Sequence, residues 1–332
     1  MGSNLLPSLR TIAFFRIALL ILLVCVPFIT HWSNNFQVLY AVTYIFLGIS
    51  FWNLPKRYLI GSCSFGFFIQ FMNTSTQQSA ASILVNIFIY LVIAFLAHTV
   101  TNQYHNIKKL KKELILALSS SLDSRDKYTN HHSENVARYA VLIAKRLNFS
   151  KEACEAVYIG GLLHDIGKIG IAERILSKPT SLTEKEFEHI KQHPIIGHNT
   201  LKKVASIAEM GVLDMVLYHH EHFDGSGYPH GLKGDDIPLV ARIMCIADSF
   251  DAMTTNRSYK NAMSLNQALN EIKINSGTQF DPLIADTFIH ILLEQKQEIQ
   301  AINPHLATTP RRLKYVLAKE GKKCTPHINE NS

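Results

Sequence analysis

Gly161-Leu162-Leu163-His164-Asp165-Ile166-Gly167-Lys168-Ile169 ends an apolar run that opens at Lys151 behind Ser150. The run has helical periodicity, Ser150 is a residue that caps helices, and the last turn delivers an imidazole and a carboxylate side by side. Imidazole and carboxylate together are ligands of borderline metals such as Fe, Mn and Zn. An Asp next to a His can bridge two ions while the His caps one of them.

The same chemistry recurs on either side. His131-His132 lies upstream; His193, the pair His219-His220 and Asp248 lie downstream. Ten of the sixteen histidines fall between positions 131 and 230. The 3.6-residue pattern predicts helices over 133–147, 151–164, 183–193, 197–208, 212–220, 239–251, 264–276 and 282–297. Thr183 followed by Glu186 reads as a capping box, and no alternating strand of useful length is present. Gly225, Gly227, Gly231 and Gly234 mark 224–238 as a loop held next to His219-His220. The fold class expected is all-α.

The N-terminal part has another composition. The chain has 332 residues and is 47% hydrophobic, but residues 12–98 are almost free of charge. Apolar runs at 9–29, 36–52, 58–72 and 82–98 are read as about four membrane spans, the third short and rich in small residues. Arg10, Lys56-Arg57 and the cluster Lys108, Lys109, Lys111, Lys112 are basic flanks, whereas 31–35 and 73–81 carry no Lys or Arg; basic loops stay cytoplasmic, so both ends are expected inside. Arg16 is read as snorkelling to headgroups. Residues 106–122 read as a helical stalk whose apolar stripe can join two protomers. The expected organisation is 1–100 transmembrane, 101–122 stalk, 123–300 metallohydrolase domain, 301–332 basic tail.

The net charge of +7 is assigned to lipid headgroups rather than to a nucleic-acid polymer, because the first lysine cluster directly follows a membrane segment. Five cysteines without C-x-x-C spacing argue against a disulfide framework and for a cytosolic C-terminal part.

Six motifs, in order, resemble HD-superfamily phosphohydrolases and, within them, the HD-GYP subfamily. They are Asp126-Lys127-Tyr128-Thr129-Asn130-His131-His132-Ser133; the His164-Asp165 stretch; His193-Pro194-Ile195-Ile196-Gly197; His219-His220-Glu221 through Gly227-Tyr228-Pro229; Ala247-Asp248-Ser249-Phe250-Asp251; and Gly277-Thr278-Gln279-Phe280-Asp281-Pro282. The resemblance covers about 120–295. Joined to the membrane reading of the N-terminal part, it gives the expectation of an enzyme of the bacterial inner membrane with its catalytic domain in the cytoplasm. That enzyme hydrolyses the second messenger cyclic di-GMP to pGpG, or onward to GMP, with a hydroxide activated by two divalent ions, Fe or Mn. It places metal ligands at His132, His164, Asp165, His193, His219, His220 and Asp248, with Asp165 bridging. Lys168 is implied as a catalytic cation, and Tyr228, Arg257 and Lys260 as residues facing the nucleotide. GGDEF-type proteins are implied signalling partners.

His131 is expected to be exposed or behind the ligands, and His189, His198, His222 and His230 to be ordinary packed or surface residues. Tyr128 stands where some members carry a Glu for a third metal, which favours two ions here; Asn135 and Ser258 depart from the usual Arg and Pro. The alternatives are a domain that binds a nucleotide or partner without cleaving, and a phosphohydrolase of another cyclic dinucleotide.

Overall fold

The computed structural model describes residues 9–32, 38–73, 79–125, 131–178, 180–256 and 261–307. Among them all regular structure is helical, apart from one isolated bridge between Ser276 and Phe280. The chain divides into two compact units, Met1–Glu113 and Leu114–Ser332.

In the first unit lie α1 (Leu9–Trp32), α2 (Val38–Ser50), α3 (Lys56–Asn73) and most of α4 (Ala80–Asp123). Four helices thus occupy the four apolar runs. Two of them contain a segment long and apolar enough to cross a membrane, α1 and α4. α2 has 13 residues, short of the roughly 17–20 that a span needs, and α3 has 18 but is interrupted by small and polar residues. The unit's interior is a small cluster of Leu19, Val26, Tyr40, Tyr44, Leu47 and Tyr90, in which Tyr44 stacks on Tyr90 at 5.0 Å. α4, one helix of 44 residues, contains both the fourth apolar run and the stretch read as the stalk. Residues 99–105 contain no Pro or Gly to stop it.

The second unit is built on α5 (His132–Arg146), α6 (Lys151–Leu163), α11 (Val212–Tyr218), α12 (Leu239–Thr254) and α14 (Pro282–Glu294). α5 packs against α6, α12 and α14. It buries Val136, Ala137, Tyr139, Ala140, Ile143 and Ala144, an i, i+3, i+4 face. Tyr139, Phe250 and Phe288 meet edge to face at the centre, with ring centroids 5.0 to 6.1 Å apart. Shorter pieces complete the unit: a 3₁₀ turn at Ile166–Gly170, α7 (Glu173–Leu176), α8 (Glu184–Ile190), α9 (His193–Leu201), α10 (Ala205–Ala208), α13 (Leu265–Ile274) and α15 (Lys296–Ile302). Core packing runs past position 300. Asn303 and Leu306 are buried, and Asn303 donates to the Thr254 carbonyl.

One helix start differs from the periodicity reading. α9 begins at His193, not at 197, and breaks after Leu201. Pro194 sits in its first turn, where a missing N–H costs nothing. Two glycines set the spacing around the site. A Cβ at Gly161 would come within 2.4 Å of the Ala137 Cα, so α6 approaches α5 closely just before His164. A Cβ at Gly167 would lie 1.8 Å from the His193 carbonyl, so the turn after Asp165 rests directly on α9.

Candidate metal centre

The seven proposed ligands stand at helix ends or on one inward helix face, where short backbone shifts aim side chains at a common point. His132 is the first residue of α5 and His164 follows the last residue of α6. Asp165 opens the 3₁₀ turn and His193 opens α9. His219 and His220 follow α11, and Asp248 lies within α12. His132, His164, Asp165, His193 and His219 are buried.

Two groups form, and Asp165 belongs to both: His132, His164 and Asp165, and Asp165, His193, His219 and His220, with the ligand atoms of each within 4.8 Å of one another. Asp165 divides its oxygens between them. Oδ2 lies 3.3 Å from His164 Nε2 and Oδ1 lies 3.2 Å from His193 Nε2. Asp248 Oδ1 stands 3.2 Å from His132 Nε2 and 4.0 Å from His164 Nε2.

The outer nitrogens decide what the inner ones can do. Nδ1 of His164, His193 and His219 each lies 2.8 to 2.9 Å from a carbonyl three residues back, on Gly161, Ile190 and Val216. A carbonyl only accepts, so each Nδ1 carries a hydrogen, and in the neutral form of each ring the bare lone pair is that of Nε2, turned inward. His132 Nδ1 donates in the same way to Asp251 at 2.7 Å. The consequence is a pair of lone pairs that cannot satisfy each other: His193 Nε2 and His219 Nε2 face across 3.2 Å. His164 Nε2 is buried without a hydrogen-bond partner. A metal ion resolves both, and a donor set of imidazoles and carboxylates suits a divalent one.

The electrostatics divide between the groups. Burial alone would lower His132, but Asp248 and Asp251 hold it up at about 10. His164 is likewise raised against its burial by Asp165. On the other side, burial and neighbouring imidazoles push His219 well below its ordinary value and His220 down to about 3. Those two rings are held neutral, the form that binds metal. Burial would raise Asp165, yet Lys168, His164 and His193 keep it well below the usual carboxylate range. Lys168 Nζ sits 2.7 Å from Asp165 Oδ2, one 3₁₀ turn on.

Tyr228 lies against this cluster. Its ring stacks on His220 with centroids 4.7 Å apart, and its backbone N–H donates to the His220 carbonyl. Arg257, Lys260 and Tyr128 lie outside the described residues. His131 is exposed in a left-handed conformation, φ 66°. His189, His198, His222 and His230 join neither ligand group.

Three residues that the sequence reading left without a role complete the site. Asp251 is fully buried and is held from its other oxygen by Asn135 Nδ2 at 3.0 Å. Glu221, 1% exposed, accepts from the backbone N–H groups of His230 and Leu232, which pins the glycine-rich loop beside His220. Asp123 accepts from the backbone and hydroxyl of Ser133, the neighbour of His132.

The family model described as the HD domain matches residues 116–284, so the chain belongs to the HD-domain family. Among curated proteins it is similar to a cyclic di-GMP phosphodiesterase of Thermotoga maritima, 41% identical over 54% of this chain and 49% of that protein. It is also similar to 3′3′-cGAMP-specific phosphodiesterase 1 of Vibrio cholerae, 40% identical over 47% of this chain and 36% of that one. The chain thus spans half or less of the length of these two relatives. A solved structure of a cyclic GMP-AMP-specific phosphodiesterase of V. cholerae aligns with 19% identity and a TM-score of 0.46, over 62% of this chain and 52% of that one.

Proposed function

We propose that this chain is a membrane-bound phosphodiesterase of the HD-GYP type that hydrolyses cyclic di-GMP to pGpG, with onward cleavage to GMP as the second step. One observation carries the reading: a single carboxylate, Asp165, shared by two histidine groups whose lone pairs converge. His132, His164 and Asp248 would hold one divalent ion and His193, His219 and His220 the other, with Asp165 between them; Fe or Mn suits the donors. Two such ions neutralise a phosphodiester and make water nucleophilic near neutral pH.

The chain's own residues supply the rest. Asp251 and the three backbone carbonyls fix the imidazole tautomers, so the donor set needs no rearrangement. Lys168, beside Asp165, brings a positive charge and a proton to the oxygen that leaves phosphorus. Tyr228, lying on His220, offers an aromatic face to a base. Arg257 and Lys260 are assigned to the second, non-scissile phosphate, which a guanidinium holds in bidentate fashion.

Product analysis tests this. Purified chain loaded with Fe(II) or Mn(II) should convert cyclic di-GMP to pGpG, and a chelator should stop it; no product from fully loaded protein refutes the reading. The second reading, a mixed cyclic dinucleotide as substrate, is favoured by the name of the V. cholerae relative and would appear as a higher kcat/KM for 3′3′-cGAMP in the same assay.

The N-terminal part is proposed to cross the inner membrane four times with both ends in the cytoplasm. In support, Leu20, Val24, Phe28, Phe65, Phe68, Leu84 and Phe88 all point outward. A reporter fused in 74–78 should map outside; a cytoplasmic signal there sinks the four-span topology. Ile107, Leu110, Leu114 and Leu118 form an exposed stripe on α4, which supports pairing with a second copy.

A further inference from the structure

α5 starts without a cap of its own. His131, at the N-cap position, is in a left-handed conformation and its side chain makes no capping hydrogen bond. The first N–H groups of a helix need acceptors. One is satisfied from elsewhere: Asp123, the last residue of α4, accepts from Ser133 N at 3.2 Å and from Ser133 Oγ at 2.6 Å. Ser133 directly follows His132, so the carboxylate of α4 fixes the turn that aims this imidazole.

Two residues further on, Arg125 makes a second grip. Its guanidinium donates to the carbonyls of Lys168 and Ile171, each at 3.1 Å, and to Glu173 at 3.2 Å. Those carbonyls belong to the 3₁₀ turn that Asp165 opens and that carries Lys168. A guanidinium is suited to this because one rigid fork reaches several acceptors.

The two grips differ in reach. His132 belongs to the first ligand group alone, whereas Asp165, which opens the turn held by Arg125, belongs to both. We propose that Asp123 and Arg125 are positioning residues through which the end of α4 sets the geometry, and so the affinity, of the metal centre: Asp123, through Ser133, acts on the site at His132, His164 and Asp165, and Arg125, through the turn that Asp165 opens, acts on both sites. This rests on the two-metal reading.

The test is metal stoichiometry on the full chain in detergent, for wild type, Asp123→Ala, Arg125→Ala and Ser133→Ala. Ser133→Ala removes one hydrogen bond with almost no change of volume, so it decides the matter if Asp123→Ala does not fold. Wild type should bind two ions. Asp123→Ala and Ser133→Ala should hold one ion as tightly as wild type and bind the other about 10–100-fold more weakly, the usual cost of losing an outer partner of a ligand, and Arg125→Ala should weaken both. kcat should fall with the lost ion and return when metal is added in excess, with KM little changed. Variants that load both ions as wild type does, or an Asp123→Ala or Ser133→Ala that loses both ions together, overturn the inference while two-metal binding by wild type stands. A wild type that never holds two ions refutes the underlying reading, and this inference falls with it.

Discussion

The two units obey opposite solvent rules. In the second, the large apolar side chains Tyr139, Ile143, Phe250 and Phe288 are inside and fully buried, and the charged residues of α5, such as Lys145 and Arg146, are outside. In the first, Leu20, Val24, Phe28 and Phe88 are 64 to 72% exposed, while Thr30, Thr43, Ser50, Gln70 and His98 are buried. Thr30 and Tyr40 join their hydroxyls at 3.1 Å in that interior. In the proposed membrane topology, helices of the same geometry serve two surroundings. Where water is the solvent, burial of apolar surface drives packing. Where the surroundings are as apolar as leucine, polar contacts and close fit hold helices together instead. The difference also fits where the chemistry sits: ionised ligands need a polar, hydrogen-bonded frame, and among the described residues the second unit builds one.

The largest effect that can sharpen this contrast comes from the frame itself. Asp165→Ala should take hydrolysis to background while far-UV circular dichroism stays helical, because two ligand groups lose their common member but no core residue changes. Normal turnover with normal metal content would contradict the shared role.

Next come the two interiors. Phe250→Ala should lower stability by about 3–5 kcal/mol, the usual cost of emptying an aromatic core position; urea unfolding of the variant reads this. Leu20→Lys, on the outward face of α1, should disfavour membrane insertion by about 2.5–3.5 kcal/mol, seen as loss of integration into membranes. If Leu20→Lys instead released a chain soluble without detergent, the outward apolar face would be a misread core and the contrast would break.

The smallest effect tests a surface cap. Lys178, together with the Thr183 backbone and hydroxyl, donates to Glu186 and lowers its carboxyl from 4.5 to about 2. A depressed carboxyl contributes stability above its unfolded value, and that contribution fades as the pH falls from about 4.5 towards 2. Glu186→Gln should therefore lower Tm slightly at pH 6 and not at pH 2. An equal loss at both would show that the charge is irrelevant.

The all-α fold was legible because helix periodicity is a local signal; paired His and Asp residues pointed to a metal, and the full set His132, His164, Asp165, His193, His219, His220 and Asp248 came from the resemblance of motifs in order. The supports were not legible. Asp251 meets His132 across 119 positions and Asn135 meets Asp251 across 116, distances at which spacing carries no information. Asp123 was overlooked for another reason: His131 looks like an unremarkable residue before a helix until its φ of 66° reveals that the cap must come from outside. The start of α9 was misplaced because Gly197 read as a boundary, whereas that glycine is buried inside the helix facing Val216 and the turn at Gly167.

The central claim is that one carboxylate joins two metal ions. X-ray absorption on anaerobically purified, metal-loaded chain measures it directly. The account predicts two ions per chain, about 3.5–4 Å apart, with that metal–metal signal gone in Asp165→Ala. A single ion, a third firmly bound ion, or a metal–metal distance unchanged in Asp165→Ala would contradict it.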